Sequence, residues 1–208
     1  MPRLKICGIT NAAFAIEAAR RNVDYLGFIF AAASPRRIAP ETARAIASAV
    51  KGPRFVGVFA GAQVDEILAV AGQLPIEVIQ LHGKYGADAV AALKSRGFEV
   101  WRLYDGTFAG EDASLLDGRD GRRCGGTGLL ADWSLVTELK RASRRVVLAG
   151  GISAANIAAA VATGADIIDV NSSLETSPGV KSIEKMDEML AEFRKAALTG
   201  KSNHKGVV

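Results

Sequence analysis

The sequence predicts an α/β protein in which eight strand and helix units close into one barrel, a single-domain (β/α)8 fold whose fifth helix is degenerate. Three observations carry this. Short apolar runs of strand character alternate with stretches that are apolar at helical spacing, and eight such runs follow one another along the chain. Parallel strands need crossovers, for which the intervening helices serve, and eight such strands close on themselves. At 208 residues and 49% hydrophobic, the chain can bury one good-sized core, and a barrel can use nearly all of it as one domain.

In chain order, Leu4 to Thr10 (LKICGIT) is a short strand that stops on Cys7, Gly8 and Thr10. Asn11 caps a helix with Phe14, Ala18 and Ala19 on its buried face. Asp24 to Phe30 (DYLGFIF) is a continuous apolar run, the pattern of a strand covered on both faces. A loop leads to Pro40, placed where a first helical turn tolerates proline, and residues 41–50 carry Ala43, Ile46, Ala47 and Val50 on one face. Phe55 to Ala60 is a strand, Val64 to Ala71 a helix, Glu77 to Leu81 a strand, Ala87 to Ser95 a helix closed by Gly97, and Glu99 to Leu103 a strand. Between Tyr104 and Ser114, Gly106, Gly110 and two acids leave room for a loop or one poor turn. Leu115 to Asp117 is a very short strand, followed by a glycine-rich stretch from Gly118 to Gly128. Asp132 to Arg141 is helical, Val146 to Ala149 a strand, Ala154 to Ala162 a helix, Ile167 to Val170 a strand, and Ile183 to Leu198 a helix facing inward through Ile183, Met186, Leu190 and Phe193. The barrel thus occupies 1–198, and the small, polar tail 199–208 is expected to fray.

Composition narrows the function. The net charge of +4 comes from 26 basic and 22 acidic residues spread along the chain, without the clustered stripe of a nucleic-acid binder; a small anion suits it better. No apolar segment approaches the roughly 20 residues that span a bilayer, so no membrane partner is expected. Two cysteines and a start without an apolar leader favour a reducing, cytoplasmic setting. No His, Cys and carboxylate set has metal-ligand spacing, so no metal is expected. Monomer and homodimer both remain open, because periodicity does not separate internal from shared helix faces.

In barrels the loops leaving the strands converge on one mouth. The strand ends here supply Cys7, Phe30, Phe59, His82, Tyr104, Asp117, Gly150 with Gly151, and Asp169 to Ser173. Cys7 is either a buried small hydrophobe or a base, the latter only with help, since an ordinary thiol has a pKa of about 8.5. Asp117 ends a buried Leu-Leu run; it either pairs with a neighbour such as Arg119 or, desolvated, holds a proton to donate. Gly150 and Gly151, leading through Ile152 and Ser153 into a helix, either make a tight turn only or offer bare N–H groups and a positive helix end to a phosphate, and their place after the seventh strand, with Asn171, Ser172 and Ser173 after the eighth, favours the phosphate. Arg36 or Arg37 in Ser34-Pro35-Arg36-Arg37 suits a carboxylate, gripped by two parallel hydrogen bonds. His82 suits a hydrogen-bonded structural role, and Trp133, Met186 and Met189 suit the core.

Several stretches together resemble the phosphoribosylanthranilate isomerase family: Lys5 to Thr10 (KICGIT), Ser34-Pro35-Arg36, Gly57-Val58-Phe59, Gln80-Leu81-His82-Gly83, Leu115-Leu116-Asp117, Gly125-Gly126-Thr127-Gly128 with Asp132-Trp133, Gly150-Gly151, Asp169-Val170, Ser172, Glu175 and Ser177-Pro178-Gly179. KICGIT, and GGTG followed by DW, are the specific signals. The resemblance implies a cofactor-free Amadori rearrangement of N-(5-phosphoribosyl)anthranilate in tryptophan biosynthesis, with a phosphorylated small molecule as the partner. It implies Asp117 as the general acid on the furanose ring oxygen and Cys7 as the general base at carbon 2. Arg36 would then hold the anthranilate carboxylate, and Gly150, Gly151, Asn171 and Ser172 the phosphate. Ala31-Ala32-Ala33, Leu129-Leu130-Ala131, and Asn171 with Ser173 depart from the family's usual residues, which bears on the covering loops more than on the chemistry. Two other readings stand beside this one: another phosphosugar barrel, such as an epimerase or the next synthase of the pathway, and a barrel that binds a phosphorylated ligand without turnover.

Overall fold

A computed structural model describes residues 1–118 and 132–199. Eight parallel strands close into a barrel in sequence order: β1 (Arg3–Cys7), β2 (Tyr25–Ile29), β3 (Arg54–Ala60), β4 (Ile76–His82), β5 (Glu99–Leu103), β6 (Ala113–Leu116), β7 (Val146–Leu148) and β8 (Ile167–Val170). Seven helices surround them among the described residues: α1 (Ala12–Arg20), α2 (Pro40–Ala49), α3 (Val64–Ala71), α4 (Ala87–Lys94), α5 (Ser134–Arg141), α6 (Ile157–Ala162) and α7 (Ile183–Thr199). None of them is long and apolar enough to cross a membrane.

Local chemistry explains the boundaries. The Asn11 side chain accepts from the Phe14 N–H to start α1, Pro40 occupies the first turn of α2, and Gln63 and Glu66 cap α3 reciprocally. Along β2, Tyr25 joins the barrel's inner cluster with Val56, Val78, Trp101, Leu115, Val147 and Ile167, while Leu26 and Phe28 join the outer layer beneath the helices. That alternation is the period of two expected of a strand buried on both faces.

The fifth crossover has no helix, as expected. Arg102, fully buried, reaches out of β5 to the Asp105 carboxylate at 3.0 Å and to the Thr107 carbonyl, so this loop is held by one guanidinium. Two expectations need correction, and one feature was not foreseen. Strand β6 covers Ala113–Leu116, leaving Asp117 just beyond its end. Helix α6 starts at Ile157, well after Ser153, because the Asn156 side chain accepts from the Ser153 N–H and donates to the Gly151 carbonyl, folding this stretch into a turn first. Between β8 and α7 lies an unforeseen turn at Ser172–Leu174 and a hairpin of β9 (Glu175–Ser177) and β10 (Val180–Lys181). The glycine-rich segment after Gly118, the alternative partner Arg119 and nearly all of the expected fraying tail lie outside the described residues.

Candidate active site

The carboxyl ends of the strands enclose a cavity of about 760 Å³. Its wall contains Cys7, Arg36, Asp117, Gly150, Gly151, Asn171 and Ser172, so every site residue expected from the sequence faces one space.

Cys7 is the last residue of β1, two positions after Lys5, and a strand's period puts both side chains on the inner face. Its register partner on β2 is Gly27. A Cβ there would lie 2.9 Å from Cys7 Sγ and 3.2 Å from Lys5 Cε, so the absent side chain makes the room that thiol and amine occupy. Lys5 is completely buried and donates to Asp169 Oδ2 of β8 at 2.6 Å. Burial pushes the Cys7 thiol above its ordinary range; the Lys5 ammonium pulls it back and the Asp169 carboxylate adds to the rise. The thiolate is therefore a small fraction at neutral pH and grows as pH climbs past the ordinary thiol value. Alkylation at Cys7, followed by peptide mapping, is expected to show a midpoint above about pH 8.5; a midpoint below pH 7 would contradict this electrostatic picture.

Asp117 and the glycine loop are built against each other. Gly150 has φ +85, and a Cβ on it would lie 2.1 Å from the Gly118 nitrogen and 2.7 Å from Asp117 Oδ1. Only glycine allows the two turns to touch. From the other side His82, at the end of β4, brings Nδ1 to 3.9 Å from Asp117 Oδ2, while its Nε2 lies 2.7 Å from Gln80 Nε2. His82 thus hydrogen-bonds within the wall, as read from the sequence, but it stands beside the proposed acid.

Of the two arginines, Arg36 is buried in the wall and Arg37 is exposed. Arg36 Nε and Nη2 fork onto the Glu175 carboxylate at 2.8 Å each, which takes up two of the five guanidinium N–H groups. Nη1, with two N–H groups, has no bond among the described residues, and Nη2 keeps a second N–H. Lys181 Nζ completes the cluster, bonding Glu175 Oε1 at 2.9 Å and Asn171 Oδ1 at 2.7 Å. Burial would raise the Glu175 carboxyl, yet its bonds to Arg36 and Lys181 hold it below the usual range. Gly8, at φ +74, sits where a Cβ would meet Asn171 Oδ1 at 2.9 Å and Arg36 Cδ at 3.0 Å, which lets the β1 turn pass between them.

Sequence reading gave no catalytic or pairing role to Lys5, Gln80, Asp169, Lys181 or Glu175, although it counted Asp169 among the strand-end residues at the mouth. A signal existed for the first and third: a charged residue inside a buried strand requires a partner.

A family model described as N-(5'-phosphoribosyl)anthranilate (PRA) isomerase matches residues 4–192. The chain belongs to the phosphoribosylanthranilate isomerase family. Among its relatives is the N-(5'-phosphoribosyl)anthranilate isomerase of Citrifermentans bemidjiense, 35% identical over 206 residues that cover 95% of this chain and 100% of the relative. The phosphoribosylanthranilate isomerase structure from Thermus thermophilus superposes with a TM-score of 0.84 at 34% identity, covering 93% of this chain and 98% of its own. Another isomerase of the family, solved in complex with reduced 1-(o-carboxyphenylamino)-1-deoxyribulose 5-phosphate, gives a TM-score of 0.78 at 27% identity, covering 94% and 100%.

Proposed function

We propose that this chain is a phosphoribosylanthranilate isomerase of tryptophan biosynthesis, and that it works by acid-base chemistry on Cys7 and Asp117. The observation that carries the mechanism is the meeting of a thiol from β1 and a carboxyl from the end of β6 in the wall of one cavity, beside two glycine-containing turns. Its volume lies in the range of roughly 300–1,000 Å³ that small-molecule sites use. Asp117 protonates the furanose ring oxygen, the C1–O bond breaks, and the nitrogen lone pair forms the Schiff base. Cys7 then takes the proton from carbon 2, and the electrons left behind make the enolamine, which relaxes to the ketone. Each transfer is of the kind that a positioned group speeds by about 10²–10⁴-fold.

At the other ends of the substrate, backbone N–H groups around Gly150, Gly151 and Ser172, with the Asn171 side chain, hold the phosphate. Because α6 begins late, this loop relies on its turns rather than on the helix end. Arg36, fixed by Glu175, offers Nη1 and its charge to the anthranilate carboxylate. Replacing Arg36 by alanine is expected to raise KM about ten-fold or more while kcat changes less, the mark of an interaction made equally in ground and transition states. An unchanged KM in steady-state kinetics would move the carboxylate elsewhere.

The activity is tested by adding phosphoribosylanthranilate to purified protein and following its fluorescence together with formation of the aminodeoxyribulose phosphate. Catalysed product formation is expected. Binding without chemical change would favour the reading of a barrel that holds its ligand without turnover.

A further inference from the structure

Asp169 uses only one of its two carboxylate oxygens. Oδ2 takes the Lys5 ammonium at 2.6 Å. Oδ1 is fully enclosed, has no hydrogen-bond partner among the described residues, and belongs to a side chain that lines the cavity with Cys7. A buried acceptor left without a donor is costly, and in a ligand site the missing donor is commonly supplied by the ligand. Lys5 bonds Asp169 and lies with Cys7 against the Gly27 position, so the Asp169 carboxylate shares the cavity wall with the group assigned to carbon 2.

On the isomerase reading, the group attached to that carbon is a hydroxyl, and it must lose its proton before the ketone can form. We propose that Asp169 Oδ1 accepts the hydroxyl of sugar carbon 2 and takes its proton as the enolamine becomes the ketone. The balance closes as follows. The C2 hydroxyl O–H bond breaks to Asp169 and its electron pair becomes the second C2=O bond. The C1=C2 electrons then take back, at carbon 1, the proton that Cys7 had removed from carbon 2. Asp169 passes its proton to water, and Asp117, which gave one to the ring oxygen, recovers one from water. Lys5 keeps its own protons and fixes the carboxylate's direction. Burial, which raises the proton affinity of Asp169 against the pull of Lys5, favours the transfer.

The test pairs the Asp169→Asn variant with two ligands: the reduced product, which carries an alcohol at carbon 2, and its counterpart lacking that hydroxyl. The native protein is expected to prefer the hydroxylated ligand by at least about ten-fold, as a hydrogen bond to a charged group allows, and the variant to lose that preference. Ketone formation should slow about 100-fold in the variant while release of the carbon-2 hydrogen continues. A retained preference would overturn the proposal, as would equal slowing of both steps, which is what mere structural damage produces. If Asp169→Asn does not fold, the neutral pair Lys5→Met with Asp169→Asn is measured in the same way. Failure of the native protein to bind either ligand would count against the isomerase reading itself, whereas binding of both without discrimination would count against Asp169 alone.

Discussion

Cys7→Ser and Asp117→Asn are each expected to lower kcat by at least 10²-fold, with the fold unchanged by circular dichroism. The reasoning starts from packing. Cys7 lies in a slot vacated by the missing side chain of Gly27, so a serine fits without strain, yet its hydroxyl is a far poorer proton acceptor than the thiolate it replaces. Asparagine keeps the shape of Asp117 and its place against Gly150 but has no acidic proton to give. Because acid and base act on one substrate in successive steps, the two losses are not expected to add in the double variant. Near-normal turnover in both single variants would remove the proposed chemistry.

The second large effect is structural. Gly150→Ala places a methyl group 2.1 Å from the Gly118 nitrogen at a residue with φ +85, so one substitution brings both a left-handed strain and a collision with backbone. Left-handed strain costs on the order of 1–3 kcal/mol and overpacking a similar amount, for a total loss of about 2–6 kcal/mol in stability. Whatever relief the chain finds must push the Asp117 turn away from the loop, so activity falls along with the denaturation midpoint. Urea unfolding and kcat measured on the same preparation check this. A change below about 0.5 kcal/mol would mean that the two turns do not press on each other as described.

How much of this was legible in the sequence depends on the range of the interaction involved. Helix α3 was found at its observed ends, and so were β5 and β8, because period and local turn signals decide them within a few residues. Cys7 and Asp117 stood out as polar residues closing apolar runs. Lys5 and Asp169 did not, since their bond joins residues 164 apart and exists only once β8 closes against β1. Glu175 is a similar case: its partner Arg36 lies 139 residues away, and that pairing takes up two of the arginine's N–H groups. Local reading also failed at α6, where Asn156 turns the chain before the helix starts, and at the β9–β10 hairpin, whose strands are too short to show a period.

The site's geometry is tested most directly by a crystal structure of this protein with the reduced product analogue. Expected are Cys7 Sγ within about 3.5 Å of the sugar's carbon 2 and the Asp117 carboxyl at hydrogen-bond distance from the oxygen that leaves the ring. An analogue bound with carbon 2 away from Cys7, or with Asp117 turned from the sugar, would contradict the proposed pairing of base and acid.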